Sequence, residues 1–140
     1  MLIGTGSEVA LCLEARELLN DLKVRVVSMP SWELFAQQPQ AYRDEVLPPA
    51  VTVRVAVEAT SPLGWERWVG QSGDVVGLNR FGASAPYQEI YKHLHFTPEF
   101  VAERARELLE RGGKRDGAGV PPGTFTADRA SASKAAGDDA

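Results

Sequence analysis

The sequence predicts an α/β protein: an open three-layer α/β/α sandwich with a mostly parallel (mixed) sheet of four to five strands. Two observations predict this fold. Short runs rich in β-branched residues recur over residues 1–111, and stretches with helical apolar spacing alternate with them. The first strand, helix and strand form one β-α-β unit, for which we expect a right-handed crossover and parallel strands.

The first unit occupies the N-terminal part of the chain. Residues 2–4 predict a strand, and Ser7 is the candidate N-cap of a helix over about residues 8–22. We expect this helix to bury a stripe formed by Leu11, Ala15, Leu18 and Leu22. Residues 24–29 predict the second strand, which Pro30 ends. The first strand is shorter than the usual length of about five to six residues, as though residues upstream had been removed.

The next segments continue the alternation. Residues 32–38 and 40–47 predict two short helices, and residues 52–58 a third strand. A turn at Ser61-Pro62 leads into residues 63–69, and residues 74–78 predict the fourth strand.

Two helices in series are predicted to close the domain. The first covers residues 87–95, after Ser84-Ala85-Pro86. The second covers residues 100–111, after Thr97 as cap and an early Pro98. On the last helix we expect Val101, Ala105 and Leu108 to be buried, and Arg104, Arg106 and Glu107 to lie mostly on the polar side.

The domain organisation follows from a change in composition near residue 112. From there on Gly, Ala, Ser, Thr, Pro and charged residues dominate, with Val120 and Phe125 the only large apolar side chains. Ordering the backbone costs roughly 1–2 kcal/mol per residue, which two such side chains do not offset. We therefore expect an α/β domain over residues 1–111 and a disordered tail over residues 112–140.

Composition limits the classes of function. The net charge of −4 and the scattered basic residues argue against nucleic-acid binding, which needs clustered Lys and Arg. No stretch approaches the roughly 18–20 apolar residues of a membrane span, and residues 1–7 lack the layout of a signal peptide. We expect a cytoplasmic protein with no membrane partner, and the single Cys12 fits a reducing compartment.

One candidate binding site is the turn formed by Thr5, Gly6 and Ser7. It lies between a strand and a helix, where free N–H groups can hold an anion. A dinucleotide fingerprint would need a third glycine near Val9 and an acidic residue at the end of the second strand. Both are absent, and a simple tight turn is the favoured interpretation.

A second candidate is Glu58, which ends an apolar strand at the sheet edge where ligands gather in open α/β folds. It is predicted either to contact another domain or subunit, or to cap the following turn through Ser61. Trp65 and Trp68, three residues apart, share a helix face and pack either into this core or against a neighbour.

No catalytic set or metal site is predicted. His93 and His95 are two residues apart on a predicted helix, so their side chains diverge and do not share a metal ion. Cys12 is interpreted as a small core residue. No Ser-His-Asp set, carboxylate pair, Cys-x-x-Cys or phosphate loop is present.

Several separated blocks resemble the C-terminal domain of transketolases. They are Leu2 to Val9, Val24 to Ser31, with Phe35 after it, Tyr42-Arg43 before Val46-Leu47-Pro48, Arg54 to Ala59, Phe81 to Pro86, and Phe96-Thr97. The resemblance covers about residues 2–111, and the tail takes no part in it.

The resemblance implies a parent enzyme of the pentose phosphate pathway that transfers a two-carbon ketol unit between sugar phosphates. Such enzymes use thiamine diphosphate and Mg²⁺ or Ca²⁺, held by other domains, so no cofactor is expected in this chain. The implied partners are the remaining domains and a second subunit, in a homodimer. The implied role is non-catalytic packing, with Trp32, Trp65 and Trp68 as reasonable docking surface and no activity from this chain alone.

Two alternatives remain open at this stage. In the first alternative the chain is a stand-alone module that binds a small ligand or anion. In the second it is the C-terminal domain of a related thiamine enzyme. The related enzymes are 1-deoxyxylulose-5-phosphate synthase and the β subunit of 2-oxo acid dehydrogenases, and Met29-Pro30-Ser31 and Ser84-Ala85-Pro86 favour transketolase over both.

Overall fold

The computed structural model describes residues 1–59, 61–77 and 96–112. In chain order the elements are β1 (Leu2–Gly4), α1 (Glu8–Leu18), β2 (Val26–Ser28), α2 (Trp32–Ala36), α3 (Gln40–Val46), β3 (Val55–Glu58), α4 (Glu66–Val69), β4 (Asp74–Gly77) and α5 (Pro98–Glu110). The helix expected at residues 87–95 and the tail from residue 113 lie outside the described residues. No helix of the described ranges is long and apolar enough to span a bilayer.

The four strands are all parallel and lie in the order β2-β1-β3-β4. This confirms the predicted α/β class with a parallel sheet. Strand β1 lies inside the sheet, where Ile3 pairs with Val27 of β2 on one side and with Ala56 of β3 on the other.

The core has two halves, one on each face of the sheet. Strand residues alternate between them, because successive side chains of a strand point to opposite faces. One half includes Leu2, Val55, Val57 and Val76 with residues of α1 and α5. The other includes Ile3, Ala56 and Val75 with Trp65, Trp68 and Val69 from the α4 segment. The sheet is therefore covered on both faces, as predicted.

Helix α1 differs from the prediction in its end and in its buried stripe. It ends at Leu18, and a turn follows in which Leu22 N donates to the carbonyl of Leu19. Leu18 is exposed, and the residues buried on this side are Glu8, Cys12, Ala15 and Leu19. These four residues keep helical spacing. The pattern is hard to recognise in the sequence because Glu8 is polar and Cys12 is small.

Strands β2 and β3 are shorter than the segments predicted for them. The predictions were residues 24–29 and 52–58, and the strands are Val26–Ser28 and Val55–Glu58. Both pair with β1, which has three residues, so the ladder on either side extends no further than β1 does.

Arg54, just before β3, joins three segments through its guanidinium group. It donates to the carbonyls of Val51 at 2.8 Å and Trp68 at 2.7 Å. It also donates to those of Leu47 at 3.1 Å and Pro48 at 2.9 Å, which follow α3. Burial lowers the pKa of Arg54. This side chain therefore ties the end of α3 and the end of α4 to the start of β3.

Helix α5 has the predicted N-cap, Thr97, whose hydroxyl accepts a hydrogen bond from Phe100 N at 3.3 Å. The helix begins at Pro98, two residues earlier than predicted. Arg104 was expected on the polar side, and the structure corrects this. Its side chain is mostly buried and forms an ion pair with Asp74 of β4. Burial acts to lower the pKa of Arg104, but Asp74 and Glu107 outweigh it and raise that pKa above its usual value.

We predict that Arg54→Met lowers the free energy of unfolding by about 2–4 kcal/mol, because four carbonyl groups lose a charged donor and some of them stay buried. Urea unfolding followed by tryptophan fluorescence measures this. Arg16→Met is the control, because Arg16 pairs with Glu17 on the exposed surface of α1 and such pairs contribute less than about 1 kcal/mol. Equal losses in the two variants would contradict the role given to Arg54.

Candidate functional site

The carboxyl ends of the parallel strands meet at one edge of the sheet. The strand order reverses direction between β1 and β3, and ligands of open α/β folds bind at such a point. Gly4 of β1 pairs with Val57 of β3, so Thr5, which follows β1, lies beside Glu58, the last residue of β3. The structure thus brings together two features predicted from the sequence, the turn at residues 5–7 and Glu58.

The turn itself is held tightly against α1. Gly6 has a φ of +56°, in the left-handed region that favours glycine. A Cβ on Gly4 would lie 3.0 Å from backbone atoms of Glu8 and Val9, so a side chain there would push α1 off β1. The amides of residues 8, 9 and 10 donate to the carbonyls of residues 5, 6 and 7 at 3.1, 3.4 and 3.2 Å. These three amides are therefore already used within the chain.

Glu8 puts a carboxyl group of the chain itself at this helix start. The residue is buried, and its Oε1 accepts a hydrogen bond from Ser7 Oγ at 2.8 Å. Its Oε2 lies 3.9 Å from the position that a Cβ on Gly6 would take. The N-terminus of a helix attracts negative charge, so a carboxyl group at this position favours α1. The anion-binding role considered for Thr5, Gly6 and Ser7 stays a prediction. Ser7 is the N-cap residue by position, but its side chain does not cap the helix.

Glu58 is half-buried at the end of β3, where it pairs in register with Gly77 of β4. The hydroxyl of Ser61 accepts a hydrogen bond from Leu63 N at 3.3 Å, so Ser61 does support the turn that follows. The two roles considered for Glu58, domain contact and turn cap, both stay predictions.

Trp65 and Trp68 lie in the half of the core that also contains Ile3, Ala56 and Val75. They are 0% and 5% exposed. The ring of Trp32 meets Trp65 edge-on at 5.1 Å between centroids, and Phe35 meets Trp68 at 5.2 Å. The indole Nε1 atoms of Trp65 and Trp68 have no hydrogen-bond partner among the described residues. The two rings thus pack against side chains of α2 from the core side. The interface role predicted for them stays a prediction.

A cleft that the sequence did not predict lies next to Phe35, the residue that contacts Trp68. Its volume is about 380 Å³, and β2, the loop after it, α2 and α3 form its walls. Apolar walls come from Val27, Met29, Leu34, Phe35 and Val46, and polar atoms from Ser28, Gln38 and Tyr42. Short helices of five and seven residues carry too little periodicity to show in a sequence which side chains stay exposed.

Metal-binding side chains and Cys12 are the other groups considered. The described ranges contain no cluster of three or more His, Cys, Asp or Glu residues that could hold a metal ion. His93 and His95 lie outside the described residues. Cys12 is buried in α1, and burial, together with the nearby Glu8, raises the pKa of its thiol to about 12.

Comparison with known proteins gives the family. Residues 1–97 match the model of the transketolase-like TK C-terminal domain, which is more than half of the chain. The chain belongs to this family. The resemblance seen in separated blocks of the sequence is thereby confirmed.

Curated relatives of this transketolase C-terminal domain are much longer than the chain. It is 51% identical over 111 residues to a transketolase of Geobacillus stearothermophilus, covering 78% of the chain and 17% of that enzyme. It is 48% identical over 112 residues to a transketolase of Mycobacterium leprae, covering 79% of the chain and 16% of that enzyme. The chain thus spans about one sixth of the length of these relatives.

Solved transketolase structures share the fold. A Pichia stipitis transketolase in complex with sedoheptulose 7-phosphate matches at a TM-score of 0.73 and 40% identity, over 81% of the chain and 17% of that protein. A Leishmania mexicana transketolase matches at a TM-score of 0.72 and 41% identity, over 88% of the chain and 18% of that protein.

We predict that Cys12 resists alkylation by iodoacetamide at pH 8 in the folded domain. With a pKa of about 12 for the thiol, roughly one molecule in ten thousand carries the reactive thiolate at that pH, and burial adds a barrier to access. Mass spectrometry in increasing urea measures the modification, which should follow the unfolding curve. Complete alkylation without urea would contradict the burial of Cys12.

We also predict that inorganic phosphate leaves the amide NMR signals of residues 5–7 unshifted up to about 10 mM, because Glu8 already lies at this helix start. The variant Glu8→Gln removes that charge and should show larger shifts on titration. Saturable shifts in the unmodified chain would instead support the anion-binding turn.

Proposed function

We propose that the chain is the C-terminal domain of a transketolase and works as part of an enzyme that transfers a two-carbon ketol unit between sugar phosphates. The observation that carries this is the 51% identity over 111 residues to an enzyme of which those residues form 17%. The related Pichia stipitis protein in complex with a sugar phosphate supports the substrate class. The pentose phosphate pathway is the setting that this proposal implies.

Within that enzyme we propose a non-catalytic role for the domain. The described residues at the sheet edge support it, because the first residue of α1 after the turn is the buried Glu8, whose carboxyl group is bonded to Ser7. The thiol of Cys12, with its raised pKa, is a poor nucleophile. We infer that the domain supports packing against the other domains and the formation of a homodimer.

The cofactors of the proposed enzyme, thiamine diphosphate and Mg²⁺ or Ca²⁺, do not fit the described part of this chain. The start of α1, the kind of place that binds diphosphates, has its first amides bonded internally and a carboxyl group beside it. The same ranges hold no acidic or histidine cluster for a metal ion. We propose that both groups bind to other domains, and that the assembled enzyme is cytoplasmic.

A chimeric enzyme tests this proposal. The aligned 111-residue segment of the Geobacillus stearothermophilus transketolase is replaced by the corresponding part of this chain. We expect the chimera to form a dimer and to retain ketol transfer within about tenfold of the parent, because half of the residues are identical and the fold is shared. Ketol transfer is measured with a coupled assay, and the dimer by sedimentation.

Two controls complete this test. The Geobacillus enzyme without the segment shows what the domain contributes, and the 140-residue chain alone should show no ketol transfer. A chimera that folds but neither dimerises nor transfers a ketol unit would refute the proposed function. Activity of the isolated chain would refute the non-catalytic role.

A further inference from the structure

On one surface of the domain, two short helices leave large apolar side chains exposed. We call the surface formed by residues 28–46 the α2–α3 face. Neither α2 nor α3 has a buried residue, although α2 contains three large apolar side chains. Leu34 is 62% exposed and Tyr42 is 49% exposed, and both border the cleft. Helices this short are not stable by themselves in water, so packing on their outer side would add to their stability.

The residues that line the cleft carry no charge. They are Val27, Ser28, Met29, Pro30, Ser31, Leu34, Phe35, Gln38, Tyr42 and Val46. The charged residues of the α2–α3 face lie outside this lining, and they are Glu33, Arg43, Asp44 and Glu45. Exposed charges keep a surface in water, and the centres of protein interfaces are depleted of them while aromatic residues are enriched. The part of the α2–α3 face that lines the cleft has this interface composition, with uncharged Ser, Gln and Pro residues beside Leu34, Phe35 and Tyr42.

The opposite face of the domain has the character of a surface in contact with water. Exposed charged side chains stand on α1 and α5, among them Glu14, Arg16, Glu17, Glu103 and Glu110. Arg106 of α5 binds Asp21 after α1 through two hydrogen bonds, which ties the two helices together at the surface. Exposed leucines occur here as well, Leu13 at 41%, but they lie among charges. The cleft lining therefore differs from the opposite face in charge more than in exposed leucines.

We propose that the α2–α3 face is the surface with which this domain docks on the remainder of the transketolase polypeptide, through apolar side chains that enter the cleft beside Leu34 and Tyr42. This rests on the proposed function. In the relatives the matching residues form about one sixth of the enzyme, so the rest of the same polypeptide offers a large surface for this domain to contact. The apolar walls of the cleft and its lack of charge fit an apolar partner surface.

The buried aromatic rings make the face rigid enough for docking. Phe35, a wall of the cleft, rests against Trp68, and Trp32 rests against Trp65. Arg25 donates to the carbonyl of Glu45 at 2.7 Å and Arg54 to those of Leu47 and Pro48, so the end of α3 is fixed from the sheet side. A surface held in this way loses little conformational entropy on docking.

The test places matched substitutions in the chimeric enzyme described above. Leu34→Glu adds a charge to the α2–α3 face, and Leu13→Glu adds the same charge to the opposite face. In the isolated chain both should leave the unfolding midpoint nearly unchanged. The carboxyl group at position 34 comes three residues after the capping Ser31, where it favours the helix, and Leu13 is an exposed position of α1.

In the chimera we expect Leu34→Glu to lower ketol transfer roughly tenfold or more and to give the domain a separate melting transition in calorimetry. Leu13→Glu should stay within about twofold of the unsubstituted chimera. Equal behaviour of the two variants, whether both impaired or both unimpaired, would overturn the docking face.

A fluorescent apolar probe, 1-anilinonaphthalene-8-sulfonate, adds a second readout. We expect the isolated chain to bind it and the isolated Leu34→Glu chain to bind it less, whereas the chimera should not bind it at this face. Equal binding to chain and chimera would mean that the cleft stays open to small molecules in the enzyme, and would overturn the proposal. Failure of the unsubstituted chimera to assemble would count instead against the proposed function.

Discussion

Strand β1 is paired on both sides and buried on both faces, with three residues to satisfy all of these contacts. Leu2 contributes to one half of the core and Ile3 to the other. Gly4 then lets the start of α1 approach the strand, because a Cβ there would meet the helix backbone at 3.0 Å. The length of β2, the start of β3, the position of α1 and the separation of the two core halves all depend on this one strand. The last residue of β3, Glu58, pairs with Gly77 of β4 instead.

The two faces of the sheet are built by different means. Helices α1 and α5 bury apolar residues directly, and the Asp74–Arg104 ion pair and the hydrogen bonds from Arg106 to Asp21 hold α5 in place. On the other face α2 and α3 are short. Arg25 and Arg54 help to hold this layer in place by donating hydrogen bonds to backbone carbonyls. Charged donors to carbonyls at a helix end are favourable through both hydrogen bonding and the helix dipole. A layer held at its ends in this way can keep its outer side apolar.

Much of the fold could be predicted from the sequence, because the β-branched runs and the Thr97-Pro98 start of α5 are local signals. What could not be predicted depends on contacts between distant residues. The buried stripe of α1 runs through Glu8 and Leu19, whereas the spacing of apolar residues in the sequence assigns Leu18 to it. Arg104 is polar by type, and only the position of Asp74, thirty residues earlier, shows why it is buried. The cleft depends on how α2, α3 and β2 meet, which no periodicity of a five-residue helix contains.

The start of α1 after β1 is relevant to which domain of the proposed enzyme binds phosphate groups. In α/β folds this is the place that most readily binds a phosphate group, through free amides and the helix dipole. Here the amides of residues 8–10 are bonded to the turn, and the Glu8 carboxyl group lies beside them, joined to Ser7. A negatively charged side chain at that point stabilises the helix and repels a phosphate at the same time. If the other domains hold the sugar phosphate and the diphosphate, as proposed, this arrangement removes a competing site while it strengthens α1. The same residue then serves stability and specificity, which is consistent with a domain whose contribution is its shape and its apolar face.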